Sequence, residues 1–270
     1  MVRRSTPRPT AKKRLGQHFL VDQNLLGVIG RMAALGSDDI VLEVGPGLGV
    51  LMRYLAERVR LVHAVELDRS LEPHLSHALR GRDNVRLQFG DALALDLAAL
   101  DPVPTKIVSN LPYSIATPLV VESLEGLPEV RLWCVMVQRE VADRFFAEPS
   151  TKAYGAVSVF VQLAAERTGF HRVSPTVFRP EPRVESALVA FRRRPREARL
   201  PPERNTSVKR LVGAAFAHRR KRLTNSLELA GLAGREQAAA ALEAIGRDTR
   251  ARAEELAPQE FVALAAALDG

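Results

Sequence analysis

Two stretches of the chain carry residue types that can do chemistry. The first is Glu43-Val44-Gly45-Pro46-Gly47-Leu48-Gly49, directly after the apolar Ile40-Val41-Leu42. Three closely spaced glycines behind a buried strand let the backbone take positive φ and approach a ligand with no Cβ in the way. The second is Asn110-Leu111-Pro112-Tyr113, at the end of the strand-like Lys106-Ile107-Val108-Ser109. It sets a side-chain amide, a carbonyl ahead of a proline and an aromatic ring at one strand end. Beside a cofactor turn, that tetrapeptide is a candidate catalytic site.

The glycine spacing narrows the ligand. A dinucleotide fold needs Gly-x-Gly-x-x-Gly or Ala. Counted from Gly45 and Gly47 the third position is Val50, and the third glycine falls one residue early, at Gly49. The turn therefore suits a mononucleotide-sized group without a pyrophosphate, such as S-adenosylmethionine, and argues against an NAD-dependent oxidoreductase. Glu66 ends the next apolar run, Leu61–Val65, about 20 residues beyond Gly45, where a parallel βαβ unit brings a carboxylate beside the ribose. Asp91 follows a third strand, Val85–Phe89, where a carboxylate can accept from the exocyclic amine of an adenine. A turn-forming aspartate explains that residue equally well. His18, in Gly16-Gln17-His18-Phe19-Leu20, reads either as a surface residue of an entry loop or as a polar lid over the cofactor.

The elements that must position these residues alternate as strand and helix, which predicts an α/β fold with a parallel sheet. Leu25, Leu26, Ile29, Met32 and Leu35 recur at helical spacing behind Asp22 or Asn24 as the cap. Crossover helices are expected over Leu48–Arg58 and Ser70–Arg80, a fifth strand over Leu132–Val137, and further helices over Gln138–Phe146 and Ala156–Glu166. Thr168–Val173 and Ser186–Phe191 read as an antiparallel hairpin at the sheet edge. Residues 192–206, rich in proline and charge, read as a linker. A helical C-terminal domain follows, with an apolar face of Val208, Leu211, Val212, Ala215 and Phe216, and with helices near 235–244 and 258–268. The expected division is a disordered basic arm over 1–13, a large domain over 14–195 and a small all-α domain over 196–270.

The chain has 270 residues, and its 39 Lys and Arg against 31 Asp and Glu give a net charge of +8. That excess favours a polyanionic partner, nucleic acid before membrane. The run His218-Arg219-Arg220-Lys221-Arg222 is the densest basic stretch and a candidate phosphate-backbone contact. Cys134 is the only cysteine, so no intrachain disulfide forms, and no Cys/His spacing suits a metal. No apolar run approaches the ~18 residues of a membrane span. Arg3, Arg4 and Arg8 precede no apolar h-region, so no secretory signal is read and the cytoplasm is expected.

In order, Gly16–Leu20, Glu43–Gly49, Val65-Glu66-Leu67-Asp68, Gly90-Asp91-Ala92 and Asn110–Tyr113 resemble the motifs of the KsgA/RsmA ribosomal RNA adenine dimethyltransferases. Phe178-Arg179-Pro180-Glu181-Pro182-Arg183-Val184-Glu185-Ser186 resembles that family's F-x-P-x-P-K-V-D-S segment, and Arg219-Arg220-Lys221-Arg222-Leu223 resembles its R-R-K-x-L helix. The resemblance spans about residues 12 to 268. It implies a class I, Rossmann-like, S-adenosylmethionine-dependent methyltransferase fold. The implied reaction dimethylates N6 of two adjacent adenosines near the 3′ end of small-subunit (16S) rRNA, by a monomer acting on the pre-30S particle.

Carried onto this chain, the resemblance makes His18 and Leu20 cover the cofactor. Gly45 and Gly47 lie under its methionine part, Glu66 holds the ribose, Asp91 contacts the adenine, and Asn110 touches both cofactor and target. Arg219, Arg220, Lys221 and Arg222 are the expected RNA contacts, and no metal is expected. Arg183 and Glu185 replace the commoner lysine and aspartate, and Ser114-Ile115-Ala116 replaces Asn-Ile-Ser or Asn-Ile-Thr. Two rivals stand beside this reading: an Erm-type large-subunit rRNA methyltransferase, and a ribosome-assembly factor acting mainly by binding. Leu111, Tyr113 and the R-R-K-x-L run resemble the small-subunit family more than the Erm pattern Asn-Ile-Pro-Phe.

Overall fold

The computed structural model describes residues 11–12, 15–200 and 202–269; most of the expected N-terminal arm lies outside them. The chain divides into two compact units. One comprises the described residues up to Ala142 with Arg167–Arg193, the other Asp143–Glu166 with Arg194 onward.

The first unit is built on a seven-stranded sheet in the order β4-β3-β2-β5-β6-β9-β7. Its strands are β2 (Ile40–Val44), β3 (Leu61–Glu66), β4 (Val85–Phe89), β5 (Lys106–Asn110), β6 (Leu132–Gln138), β7 (Ala165–Val173) and β9 (Ser186–Arg193). A separate two-residue strand, β1 (Phe19–Leu20), pairs antiparallel with β8 (Phe178–Arg179). Strands β2 to β6 are parallel, and β9 runs antiparallel to β6. β2, β3 and most of β6 are buried at every residue, as a sheet covered on both faces demands.

Helices α1 (Gln23–Met32), α2 (Val50–Ala56), α3 (Glu72–Ala78) and α4 (Ala116–Gly126) connect or cover these strands, and α5 (Arg139–Phe145) follows β6 directly. Asp22 is the cap of α1, its Oδ1 accepting from Asn24 N at 2.7 Å and Leu25 N at 3.1 Å. Leu25, Leu26 and Ile29 of α1 enter the same core as Leu51, Met52 and Leu55 of α2 and Leu75 of α3.

The order of the strands reverses at β2: β3 follows it on one side and β5 lies on the other. Open α/β sheets bind ligands in the crevice at such a point, outside the carboxyl ends of the strands. The β2–β5 pairing runs to Leu42 opposite Ile107, and the buried Ser109 hydroxyl then accepts from Val44 N at 2.7 Å. This bond holds the two strand ends together where Gly45 and Asn110 emerge.

The second unit is all-helical: α6 (Ala156–Ala164), α7 (Pro202–Ala217), α8 (Leu223–Leu229), α9 (Arg235–Ala244) and α10 (Pro258–Asp269). Tyr154, Val159 and Leu163 share a core with Leu211, Val212, Leu242 and Phe261. The sequence drew one crossing between domains, after 195, whereas the packing draws three, with Asp143–Glu166 grouped with the later helices. The expected linker is also shorter, because β9 continues to Arg193 and α7 starts at Pro202. Proline at a helix start costs little, since the first turn's N–H groups have no intrahelical partner. Four strands and α-helices are additional to the sequence reading: β1, β8, α4 and α8.

Candidate active site

Gly45, Gly47 and Gly49 have φ of +75°, +57° and +75°, the left-handed region that side chains disfavour. Each is also closely packed. A Cβ on Gly45 lies 3.1 Å from the Pro112 ring, on Gly47 2.9 Å from Phe19 Cδ1, and on Gly49 2.8 Å from Ala78 Cβ. Gly49 thus lets the turn pack closely against the end of α3. The glycine that falls one position early is the packing glycine.

Gly45 and Gly47 open onto one cleft, whose lining also takes in His18, Leu20, Glu66, Asp91, Asn110, Leu111, Pro112 and Tyr113. All the expected cofactor and catalytic positions therefore converge on it. Glu66 ends β3, and its carboxylate accepts from Gly47 N at 3.1 Å and Asp68 N at 2.8 Å. The turn and the ribose candidate are one hydrogen-bonded unit. Burial pushes the Glu66 carboxyl up, while the backbone donors at Asp68 and Gly47 pull it down, with a net rise. Asp91 is exposed, and its Oδ1 accepts from Leu93 N at 3.0 Å.

Asn110 closes β5, and its Nδ2 donates to the His18 carbonyl at 3.2 Å. No hydrogen bond to Asn110 Oδ1 or to the Leu111 carbonyl is made among the described residues. Leu111 is fixed by its own N–H, which donates to Met136 O at 3.0 Å. The Tyr113 ring stacks on His18 with centroids 5.7 Å apart, and its hydroxyl is 2.6 Å from Ser186 Oγ. Burial raises the Tyr113 pKa against the pull of the Ser186 bond, so the phenol stays protonated at neutral pH. His18 Nδ1 donates to the Pro180 carbonyl at 2.7 Å. Of the two readings of His18, its position is that of a residue over the cleft.

Three further residues at the site were given no role by sequence reasoning. Asp68 Oδ1 takes a 2.5 Å ion pair from Lys12 and a 2.6 Å bond from Ser70 Oγ, and its Oδ2 takes a 2.8 Å bond from Gln17. This clamp ties the segment before His18 to the end of β3. Burial works against the Asp68 charge, but Lys12, Ser70 and Gln17 outweigh it and hold the carboxyl well below the usual range. Glu43 is 1% exposed, and its Oε2 is without a hydrogen-bond partner. Burial and the neighbouring Glu66 push its pKa well up. Ser186 is fully buried. All three lie within the quoted motifs, and only Glu43, between Leu42 and Val44, stands out in sequence as a charge inside an apolar run.

The basic run lies elsewhere, between α7 and α8, as a turn and not a helix: Lys221 N donates to His218 O at 2.8 Å. Its members differ. Arg219 is used within its own unit, with Nε 2.9 Å from Glu254 Oε2 and Nη2 donating to the Thr151 and Lys152 carbonyls. Arg220, Lys221 and Arg222 are exposed. Among the described residues there is no group of His, Cys, Asp and Glu able to hold a metal, and no helix long and apolar enough to cross a membrane.

The family model of ribosomal RNA adenine dimethylases matches residues 8–269. The ribosomal RNA small subunit methyltransferase A of Rubrobacter xylanophilus is 51% identical over 261 residues, 96% of this chain and 95% of that protein. Among solved structures, the 23S rRNA methyltransferase ErmE is 29% identical with a TM-score of 0.70, over 93% of this chain and 100% of its own. A dimethyladenosine transferase from Plasmodium falciparum, 22% identical, shares the fold with a TM-score of 0.78 over 92% of this chain and 96% of its own. The Erm-type protein is the more distant relative by sequence. With the glycine cradle, the strand-end carboxylate and the Asn110–Tyr113 tetrapeptide converging on one cleft, this chain belongs to the ribosomal RNA adenine dimethylase family.

Proposed function

We propose that this enzyme transfers methyl groups from S-adenosylmethionine to N6 of two adjacent adenosines near the 3′ end of small-subunit rRNA, within the assembling subunit. The observation that carries the reading is the orientation of Asn110. The His18 carbonyl engages its NH₂, so its oxygen is left as an acceptor beside the free Leu111 carbonyl.

The cleft suits the donor. Gly45 and Gly47 line it with backbone that carries no Cβ, Glu66 offers carboxylate lone pairs to ribose hydroxyls, and Asp91 offers one to an adenine amine. His18 and Leu20 complete its lining. When bound, the donor would supply a methyl group on a positively charged sulfur, which would leave as a neutral thioether; N6 then loses its proton to water, so no carboxylate base is needed.

The chain's part is to prepare the nucleophile. An adenine N6 lone pair is delocalised into its ring and attacks poorly. Two acceptors, Asn110 Oδ1 and Leu111 O, placed on the amino hydrogens draw that nitrogen toward a tetrahedral shape and aim its lone pair. Pro112 holds Leu111 in extended geometry. Tyr113 stacks on the extruded base. The second transfer uses the same acceptors with one hydrogen fewer. The helical unit carries the RNA backbone, with Arg220, Lys221 and Arg222 as phosphate contacts, and the protein acts as a cytoplasmic monomer.

The test is incubation with methyl-labelled S-adenosylmethionine and unmethylated small subunits, followed by primer extension to locate the label. Unmethylated large subunits are offered in a parallel reaction: label on N6 of a neighbouring adenosine pair in small-subunit RNA is expected, and no label there, or label in large-subunit RNA instead, overturns the assignment.

A further inference from the structure

We infer that Ser186 is a positioning residue for methyl transfer: its buried hydroxyl pins Tyr113 and so sets the plane on which the target base rests. The inference rests on the reading of Tyr113 as the stacking residue and deepens it. A phenylalanine would offer the same stacking face, so the hydroxyl of Tyr113 is not needed for stacking itself. In the structure that hydroxyl reaches away from the ring to Ser186 Oγ at 2.6 Å. Ser186 is 0% exposed, and Tyr113 is its side chain's hydrogen-bond partner. A buried hydroxyl left without a partner is costly, so the pair holds itself together.

The anchor is rigid. Ser186 opens β9 opposite Gln138, the last residue of β6, and the next six residues of β9 pair with β6 in register. The other end of the ring is held by the same segment. Phe178 and Arg179 pair with Leu20 and Phe19, and the Pro180 carbonyl fixes His18, whose ring stacks on Tyr113. Residues 178–186 therefore hold Tyr113 from two sides, by its face through His18 and by its hydroxyl through Ser186. A base laid on a ring free to turn would present its amino group to Asn110 and Leu111 less often. The second transfer, to a nitrogen already carrying a methyl, depends most on that alignment.

The experiment is a double-mutant cycle on Ser186→Ala and Tyr113→Phe, with Tyr113→Ala as a separate arm and melting temperature followed throughout. Each single change should lower kcat on unmethylated small subunits about tenfold, the scale expected of a modest misplacement. S-adenosylmethionine affinity should stay within about twofold, and product should shift from dimethyl- toward monomethyladenosine. The double variant should be no slower than either single one, because both remove the same bond. Additive losses, or full kcat in Ser186→Ala, overturn the role of Ser186. Full kcat in Tyr113→Ala instead overturns the reading of Tyr113 on which it rests.

Discussion

The Asn110 side-chain nitrogen and the His18 backbone carbonyl are 3.2 Å apart and hydrogen-bonded across 92 positions of sequence. The bond decides which end of the amide is left for a substrate. Asn110→Ala should cut methyl transfer by about 100-fold or more, the scale of losing one preorganised polar group at a reacting centre. Asn110→Asp should fare no better, since a carboxylate cannot donate to His18 O and is repelled by it. Calorimetry should find S-adenosylmethionine affinity changed only modestly in both. Near-normal turnover in either variant would contradict the proposed acceptor role.

The two later glycines of the turn should respond differently to alanine. At Gly47 the new Cβ meets a Phe19 side chain that can swing, at Gly49 it meets Ala78 Cβ, which moves only with its helix. Both changes carry about 1–2 kcal/mol for the left-handed backbone. Gly49→Ala should therefore lower the melting temperature more, and Gly47→Ala should chiefly weaken cofactor binding. Combining Gly47→Ala with Phe19→Leu should recover part of that binding.

Glu43 is a buried acid with an unpaired oxygen and a raised pKa. Above the unfolded-state pKa, near 4.5, the unfolded chain releases this proton while the folded chain retains it, so folding weakens as pH rises through that window. Glu43→Gln removes the penalty. Thermal melts without cofactor should show the variant gaining on the wild type from pH 4 toward neutrality, with no gain below pH 4.

Asp68 has the opposite sign. Its depressed pKa adds stability that is complete above the unfolded value of 3.8 and fades as pH falls toward the folded one. Asp68→Asn should cost about 2 kcal/mol at pH 7, the scale of hydrogen bonds to a charged group. The difference should narrow in denaturation curves taken at pH 3 and below. Because Lys12 and Gln17 lose their anchor, S-adenosylmethionine affinity should fall as well.

Within the basic run, the structural and the RNA-facing arginines should separate. Arg219→Ala should lower the melting temperature, since it breaks contacts to Glu254, Thr151 and Lys152, and leave the salt dependence of RNA binding nearly unchanged. Reversing Arg220, Lys221 and Arg222 together should spare folding, weaken binding to small subunits and flatten the log–log salt slope by up to about 2 to 3.

The sheet, the glycine turn and the convergence of Glu66, Asp91 and Asn110 were legible because each rests on local chain direction. A strand followed by a turn of known handedness points its next residues to one side of a parallel sheet. What was not legible depends on partners far apart in sequence. Ser186 and Tyr113 meet only because β9 inserts beside β6, and the Lys12–Asp68 clamp only because the N-terminal segment folds back. Arg219 reads as one more surface cation until Glu254 appears beside it. The grouping of Asp143–Glu166 was hidden for another reason: composition marks linkers, and the first two crossings have none.

That grouping bears on how the protein can be divided. The helical unit is a discontinuous folding module, assembled from an internal excursion and a distal tail. Tyr154 donates its hydroxyl to the Leu256 carbonyl at 2.7 Å, and Val159 and Leu163 share a core with Leu211 and Phe261. A chain ended at Arg193 would keep the whole cleft in sequence yet leave Tyr154, Val159 and Leu163 stripped of their cover, an adhesive face prone to self-association. The catalytic half cannot be obtained by clipping the tail. Excising it takes a second cut, with a short bridge from Ala142 to Arg167.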